Sequence, residues 1–412
     1  MRIAMMTSNY KPFVGGVPIS IERLANSLRQ RGHTVFVLAP ECGSTDDDIF
    51  TIRFRTVRPL QHGGFRLSQL FDPALPHIFS TLGVDLIHVH DPFFVGHLAL
   101  SLGRKYHIPV VYTHHTRYEQ YLHYVRAYAA AEARAREGHP LTAGFLRELR
   151  EGWLPAWVAA FENRCDTVIA PSESMRQELL RLGVCRPVHV LPTGIPEYAF
   201  ERDDIESARL RRELSGGKPH LLCTVSRLGR EKNLDALLRS MAVLKERIGD
   251  TFRLAVLGEG PERAALETLR GRLGLGGNVC FCGAVENRSL AAFHRASDLF
   301  VFSSRSETQG IVLLEAMAAG SPVIAFQAPG AQDVVRDGLN GFLTCEADFA
   351  PRVAEVLGNR ALRQALSSVA IRTARRFTTD EIARGAEALY CSAGAGDMVR
   401  LMPPAPVVRQ TV

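Results

Sequence analysis

Apolar and polar positions along this chain alternate between short hydrophobic runs and longer stretches with helical spacing. In the first half the runs are Arg2 to Met6, Thr34 to Leu38 and Asp85 to His90, and the segment from Ile19 to Arg31 repeats its apolar residues with a helical period. Leu221 to Val225, Leu254 to Gly258, Asn278 to Phe281, Leu299 to Phe302 and Pro322 to Phe326 carry the same rhythm through the second half. Near-continuous apolar strands separated by amphipathic helices predict parallel sheets buried on both faces. The expected fold class is α/β, with two doubly wound Rossmann-like domains facing a central cleft. Two prolines and a glycine in Leu191-Pro192-Thr193-Gly194-Ile195-Pro196 interrupt the rhythm. The boundaries expected are therefore 1–190 for an N-terminal domain, 191–197 for a hinge and 198–377 for a C-terminal domain. A final helix over 378–393 is free to return to the first domain, and 394–412, rich in proline and without periodicity, is expected to be disordered. Ligands of such sheets sit beyond the carboxyl ends of the strands, so chemistry is sought there.

Length and composition agree with this picture. A chain of 412 residues exceeds what one core usually spans, and its 46% hydrophobic content supports full folding. The eight cysteines form no CxxC pair, only Cys280-x-Cys282, so neither a disulfide framework nor a zinc site is indicated and a cytoplasmic setting fits. No run of about 20 apolar residues is present to cross a bilayer. A net charge of +6, with basic and acidic residues interleaved, argues against nucleic acid and leaves room for anionic small molecules or an anionic membrane surface.

Three post-strand segments carry candidate chemistry. "SSRSETQGIVLLEAMAAG" follows the run ending at Phe302 and opens a helix near Gly310, so the amides of Gly310, Ile311 and Val312 would attract an anion. Glu307 before that helix and Glu315 inside it are placed to accept hydroxyls, one from a sugar and the other from a ribose. The plain alternative is a helix with ordinary surface carboxylates. "TVSRLGREKN" sets Arg227 and Lys232 after another strand, where two cations would stabilise a departing diphosphate; a solvated basic loop is the alternative. Gly15 and Gly16 stand between strand and helix in the first half and permit close backbone approach, although neither a dinucleotide fingerprint nor a P-loop is formed.

Taken together, Glu307-x7-Glu315, "SRLGREKN", "LGEGPE" and the N-terminal "GGV" resemble the retaining GT-B glycosyltransferases, the group that includes glycogen synthases and phosphatidylinositol mannosyltransferases. The resemblance spans nearly the whole chain. It implies that Arg227 and Lys232 hold the donor diphosphate, that Glu307 and the amides of Gly310 to Val312 hold the donor sugar, and that Glu315 holds the ribose. It further implies that Gly16 approaches the phosphates and that backbone from Gly283 to Val285 meets the base. The nucleotide sugar is a co-substrate, no cofactor is needed and no metal is implied at the catalytic centre. Gln309 stands where the family usually has an aromatic residue, which points to a subgroup.

That subgroup is suggested by "HTRYEQYLHY" and "LPTGI", which resemble the bacterial diacylglycerol glucosyltransferases. The resemblance implies a UDP-sugar donor, with glucose as its sugar, a diacylglycerol-type lipid acceptor, and peripheral contact with an anionic membrane at its cytoplasmic face. His115 matches the family histidine near the sugar and the attacking acceptor. If the following segment is helical, Tyr118, Tyr121, Leu122 and Val125 share a face that would line the acceptor side; a packed core face is the alternative. His115, Glu119 and His123 would also share a stripe, but a metal there is disfavoured. Leu149, Trp153, Trp157 and Phe161 recur every four residues, as a membrane-docking face or, more simply, as an ordinary buried helix. Asp46 to Asp48 read as a solvated loop, and His90-Asp91-Pro92 as a structural strand end or an acceptor contact. The rival functions are the same transfer to a phosphatidylinositol or soluble sugar, a nucleotide-sugar epimerase, and a non-catalytic nucleotide-sugar binder.

Overall fold

The structure is a computed structural model that describes residues 1–13, 15–42, 48–62, 65–70, 74–137 and 139–394, with backbone alone for 56–62 and 65–70. The expected tail beyond 394 and Asp46 and Asp47 lie outside the described residues. Two compact units are present: Met1–Gly194 together with the chain from Asp380 onward, and Ile195–Thr379.

The first unit runs β1 (Arg2–Met6), α1 (Gly16–Gln30), β2 (Thr34–Pro40), β3 (Thr51–Phe54), the antiparallel hairpin β4 (Thr56–His62) and β5 (Phe65–Leu70), then α2 (Leu75–Thr81), β6 (Leu86–Val89), α3 (Phe94–Tyr106) and β7 (Val110–Thr113). It continues through α4 (Arg126–Arg136), α5 (Pro140–Glu148), α6 (Leu154–Glu162), β8 (Thr167–Ala170), α7 (Glu173–Arg181) and β9 (Val188–Val190). Seven strands form one parallel sheet in the order β3-β2-β1-β6-β7-β8-β9. Alternation along β1 sends Ala4 and Met6 into a core with Phe161 and Val168, and Ile3 and Met5 into a second core with Ile21 and Tyr390. The second core is completed by the C-terminal helix, Thr379–Gly394, whose Ala383, Ala386 and Tyr390 are fully buried. Small residues at 383 and 386 let that helix lie close to the sheet, and Tyr390 fills the space beyond them.

The second unit runs α8 (Asp204–Ser215), β10 (His220–Val225), α9 (Leu234–Ile248), β11 (Phe252–Leu257), α10 (Arg263–Arg272), β12 (Val279–Gly283), α11 (Leu290–Ala296), β13 (Leu299–Phe302), α12 (Ile311–Ala318), β14 (Val323–Phe326), β15 (Gly341–Thr344), α13 (Glu346–Gly358) and α14 (Arg360–Ala374). Its six strands are parallel, in the order β12-β11-β10-β13-β14-β15. Leu222, Leu254 and Val301 face one core, and Cys223, Ala255 and Phe300 the other. Each strand order reverses direction once, between β1 and β6 in the first unit and between β10 and β13 in the second. Those switch points are where a doubly wound sheet leaves a crevice for ligand.

Candidate functional site

In the second unit the residues after β10 and β13 meet at the switch point. β10 ends at Val225, the chain crosses Arg227, and a short 3-10 turn over Arg230–Lys232 delivers Lys232 to the start of α9. Ser303 and Ser306, after β13, tether the two loops by donating to the Lys232 carbonyl at 2.9 Å and the Glu231 carbonyl at 3.1 Å. Asn233, held at a left-handed φ of 55°, donates from its amide to the Ser303 carbonyl at 3.2 Å. So fastened, Lys232 Nζ donates to Glu307 Oε1 at 2.6 Å. Burial pushes the Glu307 carboxyl up, but the Lys232 charge and hydrogen bond outweigh it and hold the group below its ordinary range. The carboxylate is therefore ionised at neutral pH. The two residues assigned separately to diphosphate and sugar are one ion pair.

Gly310 caps α12 with φ of 76°, a conformation that costs a side-chain-bearing residue roughly 1–2 kcal/mol. The first amides of α12, at Ile311 and Val312, emerge one loop away from that ion pair, and a helix N-terminus carries partial positive charge. Arg227 and Glu315 are half-buried on the flanking loop and on the helix itself. The "LGEGPE" turn explains how Arg227 is set. Gly258 has φ of 133°, and a Cβ there would fall 1.9 Å from the Ser226 carbonyl oxygen, so only glycine lets the turn lie against the Arg227 loop. The Ser226 amide bonds the Leu257 carbonyl at 3.0 Å, the Leu228 amide bonds the Glu259 carbonyl at 3.0 Å, and the Gly258 amide bonds the Gly283 carbonyl at 2.7 Å. Backbone from Gly283, with Val285 half-buried beyond it, is thus tied through Gly258 to the cationic loop.

In the first unit, Gly16 opens α1 and is exposed, with open space where a Cβ would stand. The β6–β7 register pairs Val89 with Tyr112, which brings His90 beside the end of β7. His90 Nδ1 and His115 Nε2 are 2.9 Å apart and their rings stack at 5.1 Å. Burial, then the charge of His114, pushes His115 down to about 3, so its imidazole is neutral at physiological pH. His114 points to the opposite face of the sheet, where Nδ1 meets Glu162 Oε1 at 2.7 Å. Adjacent histidines thus serve different surroundings.

The segment after His115 is not one α-helix. It forms two 3-10 turns, Tyr118–Gln120 and Leu122–Tyr124, so neither the four-residue apolar face nor the His115, Glu119 and His123 stripe is formed. Tyr118 packs edge-on against Phe93 at 5.0 Å, which in turn stacks on Trp157 at 5.3 Å. It also borders a cavity of about 360 Å³ whose walls include Arg117, Glu119, Leu154, Val158 and Glu162. Tyr121 lies outside those walls and stacks on Tyr124 at 6.2 Å. The helix expected over Leu149 to Phe161 is interrupted by a wide π turn over Leu149–Trp153, and the simpler buried-helix reading holds only at its end. Phe161 is buried, whereas Trp153 is 63% exposed, Phe145 58% and Leu141 89%. Asp48 accepts from the Phe50 amide, the Thr51 hydroxyl and Arg29, a structural assignment.

Sequence reasoning missed Glu162 and left His90 undecided, because their partners are distant in the chain and are set by strand register. Among the described residues no group of three or more His, Cys, Asp or Glu side chains is placed to hold a metal ion, and no helix is long and apolar enough to cross a membrane.

Comparison with known proteins places this architecture. Residues 14–197 match the family described as Glycosyltransferase Family 4, and residues 207–373 match that described as Glycosyl transferases group 1. The chain is 33% identical over 371 residues to an alpha-monoglucosyldiacylglycerol synthase of Streptococcus pneumoniae, covering 87% of this chain and 78% of the relative. To a protein of the same name from Acholeplasma laidlawii it is 25% identical over 399 residues, covering 95% and 96%. The crystal structure of Anabaena HepE in complex with UDP shares the fold, with a TM-score of 0.73 at 21% identity over 95% of this chain and 100% of that one. Its two parallel doubly wound sheets and this extent of similarity show that the chain belongs to the family 4/group 1 glycosyltransferases of the GT-B fold.

Proposed function

We propose that this glycosyltransferase moves glucose, with retention of configuration, from UDP-glucose to a diacylglycerol-type lipid at the cytoplasmic face of a membrane. The observation that carries the reading is the similarity, along most of the chain, to two monoglucosyldiacylglycerol synthases. The geometry supports the following chemistry. Arg227 and Lys232, beside the α12 amides, stabilise the charge that develops on a departing diphosphate. Glu307 and the amides of Gly310 to Val312 hold the donor sugar, Glu315 the ribose, and backbone from Gly283 to Val285 the base. Gly16 leaves room for the phosphates. His115 serves the sugar and the acceptor, with Tyr118 and Tyr121 on the acceptor side. The departing phosphate takes the acceptor proton, and no metal takes part. Leu141, Phe145 and Trp153 form an exposed apolar surface suited to peripheral membrane contact.

The test is mass spectrometry of products after incubation with UDP-glucose, UDP-galactose, UDP-N-acetylglucosamine or GDP-mannose and diacylglycerol in mixed micelles. An α-glucosyl lipid, formed equally well in excess EDTA, is the expected product. Glycosylation of a soluble sugar alone would reject the lipid acceptor, and donor consumption without any glycosylated product would favour epimerisation. Loss in EDTA, restored by Mn²⁺, would reject metal-independent chemistry.

A further inference from the structure

His88, His90 and His115 lie on the face of the first sheet that the C-terminal helix covers. His88 is committed at both nitrogens: Nδ1 lies 2.7 Å from the Tyr390 hydroxyl and Nε2 lies 2.6 Å from Thr113 Oγ1. A buried phenol must place its proton, so Tyr390 donates to Nδ1 and His88 donates from Nε2 to Thr113. His88 therefore has no hydrogen bond to offer His90, although their rings are only 4.0 Å apart. His90 is 2% exposed, its Nδ1 faces His115 Nε2 at 2.9 Å, and its Nε2 is buried without a hydrogen-bond partner.

Two proton arrangements fit a neutral pair. If His115 donated from Nε2, His90 would carry its own proton on Nε2 and strand an N–H where no protein acceptor is in reach. If His90 donates from Nδ1, only a lone pair is left there. Stranded N–H groups are the rarer fault in folded proteins. We propose that His90 is a positioning residue for His115: its Nδ1–H is donated to His115 Nε2 and holds His115 in the tautomer that carries its proton on Nδ1. In that tautomer the Nε2 lone pair of His115 is occupied and Nδ1 carries a proton, so the ring has no lone pair left to abstract one. The inference rests on the reading that His115 serves the transfer, and it gives that residue a definite polarity.

Ring-nitrogen NMR of the ¹⁵N-labelled full chain tests it, with the His115 signals identified among the 14 histidines by their loss in His115→Gln. A pyridine-type shift at Nε2 and a pyrrole-type shift at Nδ1 are expected; the reverse would overturn the proposal. His90→Asn leaves an amide donor near the place of Nδ1, whereas His90→Asp puts an acceptor there. The first should keep the tautomer and about a third or more of the turnover; the second should move the proton to Nε2 and lower kcat by about 10²-fold, with UDP affinity changed less than about two-fold in both. Equal losses in both variants with the His115 signature unchanged would reduce His90 to packing and sink the proposal. Should the wild type form no glycolipid, the proposed function fails, yet the ring signatures of the three proteins still decide this point. Should the aspartate variant lose UDP binding through misfolding, the wild-type tautomer and the asparagine variant decide it.

Discussion

Lys232 and Glu307 occupy each other, and that has consequences for the donor. A diphosphate that draws on Lys232 must compete with the carboxylate 2.6 Å away and also feel its charge. Replacing Glu307 by Gln removes the competitor. UDP should then bind about 3–10-fold more tightly while turnover falls about ten-fold or more, because the sugar contact proposed for Glu307 is lost. Calorimetry with UDP and initial rates check this, and weaker UDP binding would contradict the pairing. Lys232→Ala should lower both affinity and turnover. His294 presents the opposite situation, a buried imidazole with neither nitrogen hydrogen-bonded and its ring edge-on to Phe300 at 5.1 Å. His294→Phe should stabilise the second unit by about 1–3 kcal/mol by removing unsatisfied polar atoms. Burial depresses His294 from 6.5 to about 3, so the unfolded chain takes up protons first as the pH falls. Wild-type stability is full above pH 6.5 and declines toward pH 3, at about 1.4 kcal/mol per unit from this group. The advantage of the variant should widen across that window in denaturant titrations; a constant gap would show that His294 is not held neutral.

At the level of elements, the loops after β10 and β13 were legible because a parallel strand announces its end: the apolar run stops and the next residues lie at the ligand-binding edge. The positions of Arg227, Lys232, Glu307 and Gly310 after strand ends were read in that way. The 3-10 turns after His115 were not, since Tyr118, Tyr121, Leu122 and Val125 have the spacing of a helix, while the contacts that break it, to Phe93 and through it Trp157, come from elements far off in sequence. His90 illustrates the same limit, because only the β6–β7 register puts it beside His115. The "LGEGPE" turn was legible as a motif but not as a brace. Its role predicts that Gly258→Ala, with φ of 133° and a Cβ 1.9 Å from Ser226 oxygen, will shift the Arg227 loop. The second unit should lose about 2–4 kcal/mol and UDP affinity should drop at least ten-fold. A variant that melts like wild type would show that the turn can yield without cost.

For the whole molecule, the C-terminal helix matters most. A chain ending at Thr379 would uncover the core of the first unit around Ile3, Met5 and Ile21 while leaving the second unit intact in sequence. Amide exchange in β1 should rise by orders of magnitude, whereas UDP affinity, which the proposed function assigns mainly to the second unit, should stay within about three-fold. Unchanged protection of β1 would mean that the helix is dispensable. The two places where the chain leaves and re-enters the first unit are held together: Ile195 donates to Phe377 at 2.6 Å and accepts from Thr379 at 3.1 Å. Because the first unit is assembled from segments on both sides of the second, the order of synthesis does not match the order of completion. Its sheet leaves the ribosome early, but the helix that seals one face follows only after the entire second unit has been made, roughly 10–40 s later at ordinary elongation rates. For that interval the newborn protein exposes a greasy, strand-backed surface, and the helix that follows the second unit is the one that closes it.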